Sequence, residues 1–180
     1  MSKKRKTNLL HVGINGRHVG TFERKGGTHA FNYDLEWLNS KDSHPISLSM
    51  PLTMQRHTGE AVRFYFENLL PDDTDIRKLI VDRVGAYSVD AMDLLNEIGR
   101  DCIGSLSLTA EPVDGMTRME MQPMSEQEVA EHLRKTARRK TLGMDNDDVF
   151  RISLAGAQEK TALTYIDGKW HKPIGTTPTA

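Results

Sequence analysis

Apolar and polar positions change period along these 180 residues, and each period predicts a different kind of element. In the first third, apolar residues alternate with polar ones, as in a half-buried strand. Leu10–Ile14 and Arg17–Phe22 flank Asn15-Gly16, a dipeptide suited to a two-residue hairpin turn because both positions need a positive φ. Thr28–Tyr33 alternates again after Gly26-Gly27, which completes a small antiparallel meander. Asp34–Leu38 predicts one helical turn. Pro45–Pro51 predicts extended chain, bracketed by prolines that resist helix.

The middle of the chain shifts to spacings of three and four, the mark of an amphipathic helix. Gly59–Leu70 carries Val62, Phe66, Leu69 and Leu70 and stops at Pro71. Asp73–Val84 repeats the pattern through Ile76, Leu79, Ile80 and Val84. Asp90 caps a shorter helix holding Met92, Leu94, Leu95 and Ile98. Cys102–Leu108 then alternates like a strand. Ser125 and Glu128 form a capping box for a helix reaching about Arg139, whose basic end Arg134–Lys140 complements the helix dipole. Arg151–Leu154 and Thr161–Ile166 read as two strands, and Asp167-Gly168 as a turn into Lys169–Lys172. The predicted class is therefore α+β, with an antiparallel β-rich start and packed helices, and no linker marks a boundary between units.

Composition narrows the function classes. Hydrophobic content of 37% with 27% charged residues describes a globular, water-soluble chain. A net charge of −1 gives no global pull toward nucleic acid. The single Cys102 excludes an internal disulfide framework and fits a reducing compartment, so a cytoplasmic location is expected. No run of eighteen apolar residues exists, and no membrane partner is expected. Met1–Lys6 has the charge of a signal peptide without the apolar core that would follow, and reads as a solvated tail or else a weak contact for a phosphate or an acidic partner.

Several chemistries fall away. The seven histidines show no HExxH spacing and one cysteine cannot build a structural zinc site, so no metal ligand is expected. Asp145–Asp148 lacks the glycine and glutamate of a calcium loop. Asp72, Asp73 and Asp75 sit where a helix begins, which the macrodipole explains. Ser105 lacks the context of a hydrolase elbow, and Phe64, Tyr65 and Phe66 lie beside apolar helix positions that favour core packing. One segment resists dismissal, Phe150–Lys160. Here Ser153 and Leu154 run into Ala155-Gly156-Ala157 and then Gln158-Glu159-Lys160. Small side chains let backbone N–H groups approach an anion closely, and Lys160 adds charge. The loop matches neither the P-loop, since Glu159 precedes Lys160, nor GxGxxG. On its residues alone it is either a phosphate cradle or a strand–turn–strand with small residues for tight packing.

The company it keeps adds to this. Val12–Gly20, Phe31–Asp34 with Trp37-Leu38, Pro45–Leu52, Phe66–Asp72, Asp93–Asp101, Gly104–Leu106, Phe150–Leu163 and Gly175–Thr179 follow one another in an order that resembles the HipA-like serine/threonine kinase toxins of bacterial toxin–antitoxin modules. The resemblance spans nearly the whole chain. It implies that residues 1–110 form the family's N-terminal subdomain and that residues 111–180 begin a kinase-like amino lobe. Within that lobe Ser153, Leu154, Ala155, Gly156, Ala157, Gln158, Glu159 and Lys160 form the glycine-rich loop over the ATP phosphates, with Ser153 the autophosphorylation site. A phosphate there would compete for the donors that hold the nucleotide. The resemblance also implies a dimeric helix-turn-helix antitoxin of the HipB type as partner, DNA contact only through that antitoxin, and glutamyl-tRNA synthetase as substrate. The family's ATP-binding lysine and its catalytic and metal-binding aspartates lie beyond Gly-Thr-Thr-Pro-Thr. No catalytic residue is therefore expected among these 180, and ATP and Mg are expected to serve the complete kinase without binding tightly to this chain alone. The chain is expected to be an inactive N-terminal portion of such a kinase, or else a stand-alone regulator of a kinase core. Residues 1–110 are expected to be better ordered than residues 172–180.

Overall fold

The computed structural model of the chain describes residues 6–102, 106–112, 120–138 and 163–174. Three strands open the fold: β1 (Leu9–Ile14), β2 (Arg17–Lys25) and β3 (Thr28–Tyr33). A helical turn, α1 (Leu35–Leu38), precedes the two-residue β4 (His57–Thr58) and the helices α2 (Glu60–Glu67), α3 (Thr74–Val84) and α4 (Ala91–Ile98). A 3-10 turn at Gly99–Asp101 leads to β5 (Leu106–Thr109). Further on lie β6 (Met121–Met124), α5 (Glu126–Arg138), β7 (Thr164–Ile166) and β8 (Lys169–Pro173). The strands form a five-stranded sheet, ordered β4-β3-β2-β1-β5, and a three-stranded sheet, ordered β6-β8-β7, with every pairing antiparallel. The α+β class follows.

The β1–β2 turn has φ of 49° at Asn15 and 74° at Gly16, which only such residues adopt cheaply. Between Val12 and Gly13 the register shifts: Val12 faces Gly20 but Gly13 faces His18, so Val19 is an extra residue in β2. Gly20 is needed for a separate reason. A Cβ there would stand 2.1 Å from the Asn32 carbonyl oxygen of β3.

One face of the sheet buries Leu10, Val12, Phe22, Phe31 and Leu108 beneath α2 and α4. Phe66 of α2 stacks on Phe22 with ring centres 3.8 Å apart and leans on Phe31 at 6.1 Å. Each of these rings is fully buried, a contribution of roughly 1.5–3 kcal/mol apiece by apolar transfer. The shortness of α4 is offset by its burial, with Ala91, Met92, Asp93, Leu94, Leu95 and Ile98 all inside. Asp73 and Asp90 cap α3 and α4 through their carboxylates, and Gly85 closes α3 in the left-handed region.

The structure differs from the sequence expectations in specific places. Leu79 is half exposed, because α3 buries only Ile80 and leaves most of its surface to water. Phe64 is also half exposed and lies under the Arg63 guanidinium rather than in the core. Pro45–Pro51 is not extended. Ser47 and Met50 bridge across a tight turn, Met50 is buried, and Leu48 at the tip is 95% exposed. The cause is remote in sequence: the Tyr33 hydroxyl donates to the Met50 carbonyl at 2.6 Å and accepts from the Ile46 N–H at 2.9 Å. Burial raises the pKa of that phenol. At the other end, Lys172 and Pro173 belong to β8, and the Ile174 N–H donates to the Glu120 carbonyl.

Candidate functional site

The predicted glycine-rich loop, Ser153 to Lys160, and the strand Arg151–Leu154 before it lie outside the described residues. Their downstream continuation is described. The turn at Asp167 and Gly168, with φ of 50° and 76°, joins β7 to β8, pairing Tyr165 with Trp170 and Thr164 with His171. β6 adds to the other side of β8, with Met124 opposite Trp170. The Tyr165 and Trp170 rings meet at 4.9 Å and remain partly exposed. The sequence predicted the β7–β8 hairpin but missed β6, whose partner strand lies some fifty residues further on and leaves no local trace.

Before α5, Ser125 and Glu128 make the expected capping box: the Ser125 N–H donates to the Glu128 carboxylate at 2.7 Å, and the Glu128 N–H reaches the Ser125 hydroxyl at 3.3 Å. The hydrogen bonds from the backbone and hydroxyl of Ser125 hold the Glu128 pKa below its ordinary value.

In the first sheet, polar residues gather at several places. The most buried is Arg24 on β2. Its guanidinium pairs with Asp90, with Asp93 at 2.7 Å and with the Thr7 carbonyl at 2.8 Å, while Ser88 donates to the other Asp93 oxygen at 2.6 Å. This cluster ties the segment before β1, strand β2 and the start of α4 into one unit. The Arg24 Nε and both nitrogens of neighbouring His29 are buried without a hydrogen-bond partner. At the α1 end, Arg17 donates to Asp42 and Ser40 and lies 5.2 Å over the Trp37 ring. On β1 and β2, His11 and His18 meet with Nδ1 and Nε2 3.2 Å apart, and Asp34 stands 3.8 Å from the other His18 nitrogen. Burial, then the charge of His18, lowers the His11 pKa, against a smaller opposing pull from Glu111. No linear spacing announces this pair; the hairpin register and its bulge bring positions 11 and 18 together. Among the described residues no group of three or more His, Cys, Asp or Glu side chains is placed to hold a metal ion. No helix among them is long and apolar enough to cross a membrane.

The first sheet and its helices coincide with a known family. A family model described as the HipA N-terminal domain matches residues 10–109. The chain belongs to the HipA family. The match runs from the second residue of β1 to the last of β5, so it takes in all but the first residue of the five-stranded sheet, with α1 to α4. Y4mE of Sinorhizobium fredii (strain NBRC 101917 / NGR234), which bears a provisional kinase name, is 30% identical over 172 residues. That alignment covers 92% of this chain and 40% of Y4mE. Among solved structures, HipA of Shewanella oneidensis MR-1, in a toxin–antitoxin complex with HipB and operator DNA, superposes with a TM-score of 0.64 at 21% identity. It covers 94% of this chain and 39% of that HipA, a likeness of fold. The chain thus spans about two fifths of the length of the relatives it matches.

Proposed function

We propose that these residues form the N-terminal portion of a HipA-like serine/threonine kinase and carry its nucleotide-covering loop. The observation that supports this most is the order of parts. The HipA N-terminal match over 10–109 is followed in the same chain by the small-residue loop at 153–160 and then by the β7–β8 hairpin. Within this reading, backbone N–H groups of Ala155, Gly156 and Ala157 approach the ATP phosphates and Lys160 adds charge. A phosphate on Ser153 displaces the nucleotide by occupying the same donors. The metal-held phosphates and the groups that stabilise the transferring phosphoryl come from a carboxy-terminal lobe, because positioning alone does not replace that charge stabilisation. The rigid first sheet, locked by Arg24, Asp90 and Asp93, offers a scaffold on which a HipB-like helix-turn-helix dimer docks, with DNA reached only through that dimer. Glutamyl-tRNA synthetase is the proposed substrate of the complete enzyme, acting in the cytoplasm.

The antitoxin part is tested by gel filtration of the purified chain with a HipB-like dimer. Co-elution supports the docking role, and separate elution at tens of micromolar of each protein refutes it. The kinase part is tested by labelled ATP, where the 180 residues alone transfer no phosphate to protein.

A further inference from the structure

The geometry points to a divalent transition-metal site, open to water, at His11 on β1 and His18 on β2. A tetrahedral ion with nitrogen ligands at 2.0–2.1 Å needs those two nitrogens about 3.3 Å apart. His11 Nδ1 and His18 Nε2 stand 3.2 Å apart, and their ring centres are 5.2 Å apart at an interplanar angle of 51°. That spacing matches two ligands of one ion once each ring turns so that the two lone pairs meet off the line between the nitrogens. Asp34 supplies the outer support. Its carboxylate oxygen lies 3.8 Å from His18 Nδ1, the nitrogen facing away from His11. A carboxylate on that side favours the proton on Nδ1 and leaves Nε2 with its lone pair free for a metal.

The backbone fixes this arrangement. Thr21 faces His11 across β1 and β2, and the extra residue Val19 advances His18 so that it pairs with Gly13. Asp34 is held in place as the N-cap of α1, accepting from the Glu36 N–H at 2.8 Å. Side-chain exposure of 26% for His18 and 35% for Asp34 lets an ion and its waters enter. Two imidazoles with water in the remaining positions suit zinc, nickel or copper, and copper binds most tightly by the general affinity order.

Zinc chloride titrated calorimetrically into the metal-stripped 180-residue chain tests this. One-site binding is expected, weakened at least tenfold in His11→Ala and in His18→Ala and unchanged in His171→Ala, which lies on β8 of the other sheet. Asp34→Asn, which keeps the helix cap, is expected to weaken zinc about tenfold. A second measurement needs no variant: substoichiometric Cu2+ broadens the backbone amide signals of β1 and β2 before those of other histidines. Absence of zinc binding, binding unaltered by both histidine variants, or first broadening elsewhere overturns the site.

Discussion

Replacing Arg24 by methionine should destabilise the fold by about 3–5 kcal/mol, the cost of leaving a buried carboxylate without its partner. The structure locates that cost. The Arg24 side chain is 7% exposed and the Asp93 side chain 1%, whereas Asp90 is 33% exposed and can rehydrate. Without the guanidinium, Asp93 keeps only the Ser88 hydroxyl among the contacts seen here. Against a total stability of roughly 5–15 kcal/mol for a domain, such a loss is severe. Urea unfolding read by far-UV circular dichroism and by the fluorescence of buried Trp37 measures it. Adding Asp93→Asn to Arg24→Met should recover at least about 1 kcal/mol, because the second change removes the stranded charge. A loss below about 1 kcal/mol for Arg24→Met, the level of an exposed pair such as Arg17–Asp42, would refute the reasoning.

Three further outcomes follow from the same contacts. Gly20→Ala should sharply reduce the yield and melting temperature of the chain, because the new Cβ meets a β3 carbonyl that cannot withdraw; a wild-type melt would contradict the close approach. Because folding lowers the His11 pKa, the unfolded chain takes up a proton first as pH falls below about 6.5, so stability is full above that pH and declines below it. Urea midpoints measured from pH 7.5 to 5.5 should fall less steeply in His11→Gln than in the wild type. Ser125→Ala should speed amide exchange across the first turn of α5 without altering exchange in the first sheet, and equal exchange in both proteins would contradict the cap.

Much of the first sheet was legible because its cues are local. Asn15-Gly16 announces its hairpin, Asp90 its cap, and the spacing of Val62 and Phe66 the buried face of α2. The failures lie where distant groups decide. A tyrosine hydroxyl from β3 folds the chain around Leu48 into a turn that its prolines alone do not encode. The two-residue β4 exists because Ala30 and Phe31 pair with it, and β6 because β8 does. Leu79 has the right spacing for a buried residue, but only α3's Ile80 side packs inward. The His11–His18 pair was invisible to linear spacing since a bulge sets its register. For the proposed nucleotide loop, which lies outside the described residues, the cues were small residues, a lysine and the order of neighbouring motifs.

The most direct test of the central claim is phosphate transfer from labelled ATP by a chimera that joins residues 1–180 to the part of Y4mE outside the match. Transfer by the chimera is expected, with none by the 180 residues alone and loss of transfer in the Gly156→Val chimera. Transfer by the isolated chain, or a chimera indifferent to Gly156→Val, would contradict it.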